Sequence, residues 1–513
     1  MSERNLVAEL REAIHQARAR VYQVGDPTPL QPMSLEGIAD PVWVKREDLG
    51  PVKAYKWRGA YNAMACLTAE KLAQGVVAAS AGNHAQGIAL GARALGCEAR
   101  IFMPKPTPLV KRKAVMAHGG EKVTIELVGD SFSEAQAAAL KFAAKSEATF
   151  IPPYDSLDTM GGQGTLADEI FTSGEGPFDR VYVAIGGGGL ASAVASWLKS
   201  SWPGVKVIGV EGVDQASMKA AIANGGPTYL DYVDLFCDGT AVNQVGDLTY
   251  EICRTQIDEI ITVTNQEVSS AIKAHWDGLR VIPEPSGAMS LAGYLQQQRD
   301  GLVPDGEKVL TILCGANMDF AKVAEISRQA GITPKQKRSW LFEIPEEKGS
   351  LVNLLIDLPN EVSIIDLQYG RSSGEVQSPV LTLDVPSQDE AAFSKWLEER
   401  EGYATDVTDQ ADARYRVIPF SPSIFTSPLF VEVEFFERAG ALLQFMKEVS
   451  PLASLCYFNY IYSGERVGRA LVGLDFFSEA EEEAEEEAGK KLILANAGKK
   501  VRSVKEVTVG SRA

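Results

Sequence analysis

The sequence predicts an α/β protein: one parallel-sheet unit followed by two small α+β modules of the ferredoxin type. Three observations carry that reading. From about residue 40 to 325, short β-branched runs alternate with alanine-rich helical stretches. The alternation stops at a polar segment containing glycine and proline, residues 329–338. Beyond it, three patches of sequence recur at one shared offset of 91 residues. At 513 residues the chain is also too long for one ordinary core, and two or three domains are expected.

The predicted strands of the first unit are Val42–Val44, Val76–Ala79, Ala99–Met103, Lys122–Leu127, Thr149–Ile151, Arg180–Ile185, Val205–Val210, Ile260–Val263 and Lys308–Leu313. Helices fill the gaps. One runs from Ser133 to Ser146, behind a capping box in Ser131-Phe132-Ser133-Glu134. This alternation of strands and helices argues for parallel sheets covered on both faces.

After the segment 329–338, Glu343-Ile344-Pro345-Glu346-Glu347-Lys348-Gly349-Ser350-Leu351 recurs as Glu434-Phe435-Phe436-Glu437-Arg438-Ala439-Gly440-Ala441-Leu442. Leu367-Gln368-Tyr369 recurs as Phe458-Asn459-Tyr460, and Leu383-Asp384 as Leu474-Asp475. One register shared by three patches implies two copies of one unit. Each copy reads strand, helix, strand, strand, helix, strand, the order of a βαββαβ module. The expected boundaries are a first unit at 1–328, a linker at 329–338, a module at 339–411, a connector at 412–428 and a second module at 429–513. The acidic run Glu479–Glu487 reads as a solvated helix face.

Composition narrows the function. A hydrophobic content of 45% with 23% charged residues is that of a soluble globular protein. A net charge of −18, with no basic stripe interleaved with aromatics, disfavours nucleic acid as a partner. Six cysteines without a C-x-x-C pair fit reduced thiols, and four scattered histidines argue against a histidine metal site. No stretch approaches the ~20 apolar residues of a membrane helix. The amino-terminal residues do not resemble a signal peptide. A cytoplasmic location is expected, or a plastid one if a transit peptide has been removed.

Four segments carry chemistry. Lys56 lies in Ala54-Tyr55-Lys56-Trp57-Arg58-Gly59, between a buried strand and a helix start. A lysine enclosed at such a junction can lose its proton and condense with a carbonyl group. For a lone lysine, a solvated helix N-terminus would be the plainer reading. Ser80-Ala81-Gly82-Asn83-His84-Ala85-Gln86-Gly87 follows the strand Val76–Ala79. Its small residues leave backbone N–H groups open at a helix start, a site suited to a carboxylate. Ser80 and Asn83 could equally cap that helix, and His84 reads as a buried, satisfied imidazole. Gly186-Gly187-Gly188-Gly189-Leu190 follows the strand Arg180–Ile185. Four glycines let several N–H groups converge on one phosphate. Neither a dinucleotide fingerprint nor the Lys-Ser/Thr ending of a P-loop is present. Cys314-Gly315-Ala316-Asn317 follows the strand Lys308–Leu313, at the strand end where open α/β sheets bind ligands. An inert buried thiol is the plainer alternative for Cys314.

With these segments in this order, the chain resembles the biosynthetic threonine deaminases (threonine ammonia-lyases), which are fold-type II pyridoxal-phosphate enzymes. The resemblance runs from about Pro27-Thr28-Pro29-Leu30 into the C-terminal region and includes Glu284-Pro285-Ser286-Gly287-Ala288. It implies a two-lobed catalytic unit with pyridoxal 5'-phosphate between the lobes. It makes Lys56 the Schiff-base lysine and the base, Asn83 the partner of the cofactor's ring hydroxyl, and Gly186, Gly187, Gly188, Gly189 and Leu190 the phosphate cradle. Cys314 then faces the pyridine nitrogen, where many members have serine. Ser80, Ala81, Gly82, Asn83 and His84 take the substrate carboxylate. The activity implied is deamination of L-threonine to 2-oxobutanoate and ammonia. The paired modules become ACT-like regulators that bind isoleucine as inhibitor and valine as its antagonist, in a homotetramer. Three other readings remain open from residues alone: a serine dehydratase or racemase using the same groups, a non-catalytic amino-acid sensor, and a nicotinamide-dependent dehydrogenase.

Overall fold

The computed structural model describes residues 5–320 and 322–330. Beyond them it describes 337–345, 350–359, 362–368, 376–385, 389–399, 403–408, 428–436, 453–462, 467–476 and 503–507, with residues 410, 445, 449, 490, 491 and 494. The chain forms two compact units, Met1–Ala330 and Gly331–Ala513. The acidic run Glu479–Glu487 and most of the expected connector lie outside the described residues.

Ten strands build the first unit: β1 Leu30–Met33, β2 Val42–Arg46, β3 Val76–Ala79, β4 Ala99–Met103, β5 Val123–Leu127, β6 Thr149–Phe150, β7 Arg180–Ala184, β8 Lys206–Gly212, β9 Glu259–Val263 and β10 Val309–Leu313. They form two sheets, of order β1-β2-β10-β7-β8-β9 and β5-β4-β3-β6. All pairings are parallel except β1 with β2. The chain leaves the larger sheet after β2, builds the whole smaller sheet, and returns at β7. Each excursion from strand to helix therefore begins at a strand's C-terminal end, where ligands gather in open α/β sheets.

Every expected strand is present, with ends shifted by at most two residues. Strand β1 is the addition. It carries Pro32, which cannot donate to a ladder and is tolerated because β1 is the edge of its sheet. The two sheets have separate apolar cores. One gathers Val44, Tyr182, Val207 and Leu310, the other Val76, Ile88, Ile101 and Val123. The capping box at Ser131 and Glu134 is formed as expected, and the helix behind it begins one residue early, at Phe132. The helix Lys322–Gln329 belongs to the first unit, since Ile326 and Ala330 pack into its core.

In the second unit, β11 Lys337–Phe342, a helix Ser350–Asp357, a ribbon of β12 Ile344–Pro345 and β14 Val376–Gln377, β13 Ser363–Gln368, β15 Val380–Asp384, a helix Glu390–Glu398 and β16 Ala404–Asp406 form one module. Strands β17 Pro428–Phe436, β18 Ser454–Tyr462, β19 Val467–Asp475 and β20 Ser503–Glu506 form another. The sheet orders are β13-β15-β11-β16 and β18-β19-β17-β20, the same path traced twice. Registers repeat as well. Lys337 pairs with Asp384 and Pro428 with Asp475; Ser363 pairs with Asp384 and Ser454 with Asp475. Even the register shift recurs, between Ile364 and Asp366 and between Leu455 and Tyr457. The cores correspond at the same spacing, with Phe342, Leu354, Leu358, Leu381, Leu383 and Val385 answered by Val433, Phe445, Val449, Val472, Leu474 and Phe476. Burying each such side chain contributes about 1.5–3 kcal/mol, so the repeated positions are the ones that hold each module together. Three boundaries differ from expectation. Gln329 and Ala330, placed in the linker, belong to the first unit. Lys337 and Arg338, placed in the linker, are in β11, and Pro428, placed in the connector, begins β17.

Candidate active site

Lys56 is the first residue of the helix Lys56–Ala65. The loop that delivers it is pinned to the loop after β10. Tyr55 N–H donates to the Cys314 carbonyl (3.0 Å), Ala316 N–H donates to the Lys53 carbonyl (2.8 Å), and Ala54 bridges Gly315. Lys53 adopts a left-handed φ of 57°, an uncommon conformation for a lysine, held by these contacts. Lys56 and Cys314 are 258 positions apart in sequence yet share one cavity wall. Burial lowers the Lys56 pKa, against the opposing pull of Glu284, Cys314 and Asp238.

Asn83 begins the helix Asn83–Leu95, which lies against the helix of Lys56. Gly87 permits this approach: a Cβ there would stand 2.9 Å from the Trp57 Cα. The capping alternative does not hold for Asn83. Gly82 is the cap residue, and the Asn83 amide instead donates to Glu284 Oε1 (2.6 Å) and accepts from Asn317 Nδ2 (2.9 Å). Ser80 Oγ accepts from the Gly82 N–H (3.2 Å). His84 is 1% exposed, its Nε2 bonded to the Ile151 carbonyl (3.0 Å), and burial pushes its pKa down to about 4. It is a neutral imidazole tied to the fold.

The glycine run spans the turn from β7 into the helix Gly189–Ser201. Gly188 has a φ of 91°, which side-chain-bearing residues rarely adopt, and a Cβ on Gly187 would meet the Tyr154 ring at 2.3 Å. Thr249 Oγ1 donates to the Gly187 carbonyl (2.7 Å) and fixes the turn from outside. A helix N-terminus that is capped by one glycine and opens on another presents free N–H groups to an anion. Cys314 closes the opposite wall at the end of β10. Burial, then the nearby Glu284 carboxylate, pushes its thiol up to about 12, so it is uncharged at neutral pH.

One cavity is lined by Lys56, Asn83, Gly186–Gly189, Leu190 and Cys314 together. Ser80, Ala81, Gly82 and His84 are not among its walls. Tyr55, Tyr154, Thr240, Glu284 and Ser286 also line it. Glu284 and Ser286 belong to a segment legible in sequence. Tyr154 and Thr240 are reached only through the fold, because nothing in their local sequence marks them. Beneath the Lys56 helix lies a buried ionic cluster. Arg58 donates to Glu47 Oε2 (2.8 Å) and to Glu169 Oε1 (2.5 Å), and Lys45 pairs with Glu169 and hydrogen-bonds Thr28. Among the described residues no group of histidine, cysteine and carboxylates could hold a metal ion, and no helix is long and apolar enough to cross a membrane.

Residues 21–315 match the family model described as pyridoxal-phosphate-dependent enzyme, and residues 426–497 match the C-terminal regulatory domain of threonine dehydratase. L-threonine dehydratase biosynthetic IlvA of Burkholderia multivorans is 37% identical over 464 residues, 89% of this chain and 91% of that protein. The chain belongs to the biosynthetic threonine dehydratases. The Escherichia coli IlvA is 36% identical over 89% of each chain, and the chloroplastic enzyme of Arabidopsis thaliana is 36% identical over 89% of this chain. Among solved structures, the processed threonine deaminase isoform 2 of Solanum lycopersicum aligns with a TM-score of 0.59 at 39% identity. The match covers 63% of this chain and 94% of that one. Maize serine racemase aligns with a TM-score of 0.57 at 28% identity over 62% of this chain and 96% of that one. Pyridoxal 5'-phosphate is the cofactor of this dehydratase family, and the cavity fits it. A lysine of lowered basicity, a glycine turn that a single methyl group would block, and a neutral thiol stand around one enclosed space.

Proposed function

We propose that this dehydratase converts L-threonine to 2-oxobutanoate and ammonia. The observation that carries the reading is the single cavity into which segments far apart in sequence send Lys56, Asn83, Gly186–Gly189 with Leu190, and Cys314. Bound pyridoxal 5'-phosphate supplies a carbonyl carbon for the amine and a ring that takes up the electron pair left when Cα loses its proton. The protein's residues do the rest. Lys56 is the covalent anchor and then the base. Its burial disfavours the charged ammonium, so the free amine is available to accept the Cα proton. Gly186–Gly189 and the start of the helix Gly189–Ser201 bind the phosphate. Asn83 would hold the ring's oxygen substituent. The neutral Cys314 thiol would lie toward the ring nitrogen and, unlike a carboxylate, would not hold it protonated. The backbone N–H groups at the start of the helix Asn83–Leu95 are the donors this reading offers to the substrate carboxylate.

Regulation falls to the second unit in this reading. Two modules of one topology and register, the second matched by a regulatory-domain model, support a ligand site outside the chemistry. Isoleucine is the proposed inhibitor and valine its antagonist. A homotetramer in the cytoplasm, or in a plastid, completes the proposal. Lys56→Ala tests the chemical half: it is expected to abolish 2-oxobutanoate formation while circular dichroism and thermal midpoint stay near wild type. Near wild-type turnover in a cofactor-loaded Lys56→Ala protein would refute the role.

A further inference from the structure

The Asn83 amide is oriented by a chain of hydrogen bonds whose direction is set at one end. The Val52 carbonyl can only accept, and Asn317 Nδ2 lies 2.5 Å from it. Asn317 must therefore turn its nitrogen, not its oxygen, to this side. Its second N–H then meets Asn83 at 2.9 Å, so Asn83 must present Oδ1 there. That leaves the Asn83 nitrogen facing Glu284 Oε1 at 2.6 Å. One N–H of Asn83 is spent on Glu284. The other makes no hydrogen bond among the described residues, and Asn83 lines the cavity. The Asn83 oxygen is turned toward Asn317, so the second N–H is the donor this amide keeps without a partner among the described residues.

We infer that Asn317 is a positioning residue: anchored on the Val52 carbonyl, it locks Asn83 so that a donor, never an acceptor, faces the cofactor's ring oxygen. The inference rests on the cofactor reading above. An unlocked amide could turn over and present its carbonyl, which would repel a deprotonated ring oxygen. Asn317→Asp reverses the chain, because an ionised carboxylate only accepts and would draw the Asn83 nitrogen toward itself.

The test compares the full chain loaded with pyridoxal 5'-phosphate in four forms: wild type, Asn317→Asp, Asn83→Ala and the double variant. The readout is the ratio of the visible to the near-ultraviolet absorbance band, which follows deprotonation of the ring oxygen. Each single variant is expected to lower the ratio about five-fold, the weight of one hydrogen bond, and the double variant no further. Asn317→Ala, which removes the same donor, gives a second reading should Asn317→Asp fail to fold. A role confined to stability would lower the thermal midpoint and leave the ratio alone. An unchanged ratio in Asn317→Asp or Asn317→Ala, with a lowered one in Asn83→Ala, overturns the inference, as does a double variant whose effects multiply. If Lys56→Ala retains the wild-type visible band, the cofactor reading itself fails, and the two failures are thereby distinguished.

Discussion

Glu169→Gln is the most exacting test of the scaffold that holds Lys56. Glu169 sits with Lys45, Arg58 and Glu47 in a cluster of two cations and two carboxylates, and both cations are essentially inaccessible. Burial pushes the Glu169 pKa up, but Arg58 and Lys45 together outweigh it and hold it below the ordinary carboxylate value. Removing one partner of a buried ion pair costs about 3–5 kcal/mol, because the remaining charge stays desolvated. Glutamine still accepts one hydrogen bond, so the loss belongs near ~3 kcal/mol. The pH dependence has a definite sign. A depressed carboxylate pKa contributes stability present above the unfolded value, ~4.3, and lost as pH falls through the folded value. The variant should thus lie well below wild type at pH 7, and the gap should narrow in acid, where wild-type Glu169 is itself protonated. Urea titrations of the apo chain, followed by tryptophan fluorescence, measure this, since buried Trp57 lies on the same helix as Arg58. Equal stability at pH 7, or a gap that does not shrink in acid, would refute the reasoning.

Two substitutions probe the cavity walls. Gly187→Ala places a methyl group 2.3 Å from the Tyr154 ring and is expected to weaken cofactor binding at least about tenfold, read by titrating the visible band. Cys314→Ser keeps a neutral group and should keep activity, whereas Cys314→Asp should lose elimination, measured as 2-oxobutanoate release at equal cofactor occupancy.

The parts legible in sequence are those with a local physical signature. Short β-branched runs mark nine of the ten strands in the first unit, and central ones such as Val76–Ala79, Arg180–Ala184 and Val309–Leu313 are buried throughout and need no alternation. Leu30–Met33 escaped because two of its four residues, Gln31 and Pro32, are exposed and one of them is a proline, a pattern shared with many loops. The repeat at 91 residues foretold the matched registers because identical folding units bury the same positions. Lys56, the glycine turn and Cys314 stand at strand–helix junctions, where the pattern of the chain itself changes. By contrast, the bonds that orient the site join residues 201 and 234 positions apart, and those beneath it join residues 111 apart. No local signal encodes such pairings. The burial of Lys45 and Glu47 against Arg58 and Glu169 follows only from tertiary packing.

The most direct measurement is 2-oxobutanoate formation by the full chain across a range of threonine concentrations, with and without isoleucine. The account predicts threonine turnover. It also predicts that isoleucine raises the threonine concentration at half-maximal rate and makes the curve sigmoidal, and that valine reverses both effects. Coupling of this kind is commonly ~1–3 kcal/mol, a shift of roughly 5- to 150-fold. Absence of threonine turnover in the cofactor-loaded chain would contradict the chemistry. A curve that isoleucine leaves unmoved, with no isoleucine binding by calorimetry, would contradict the regulatory role of the paired modules.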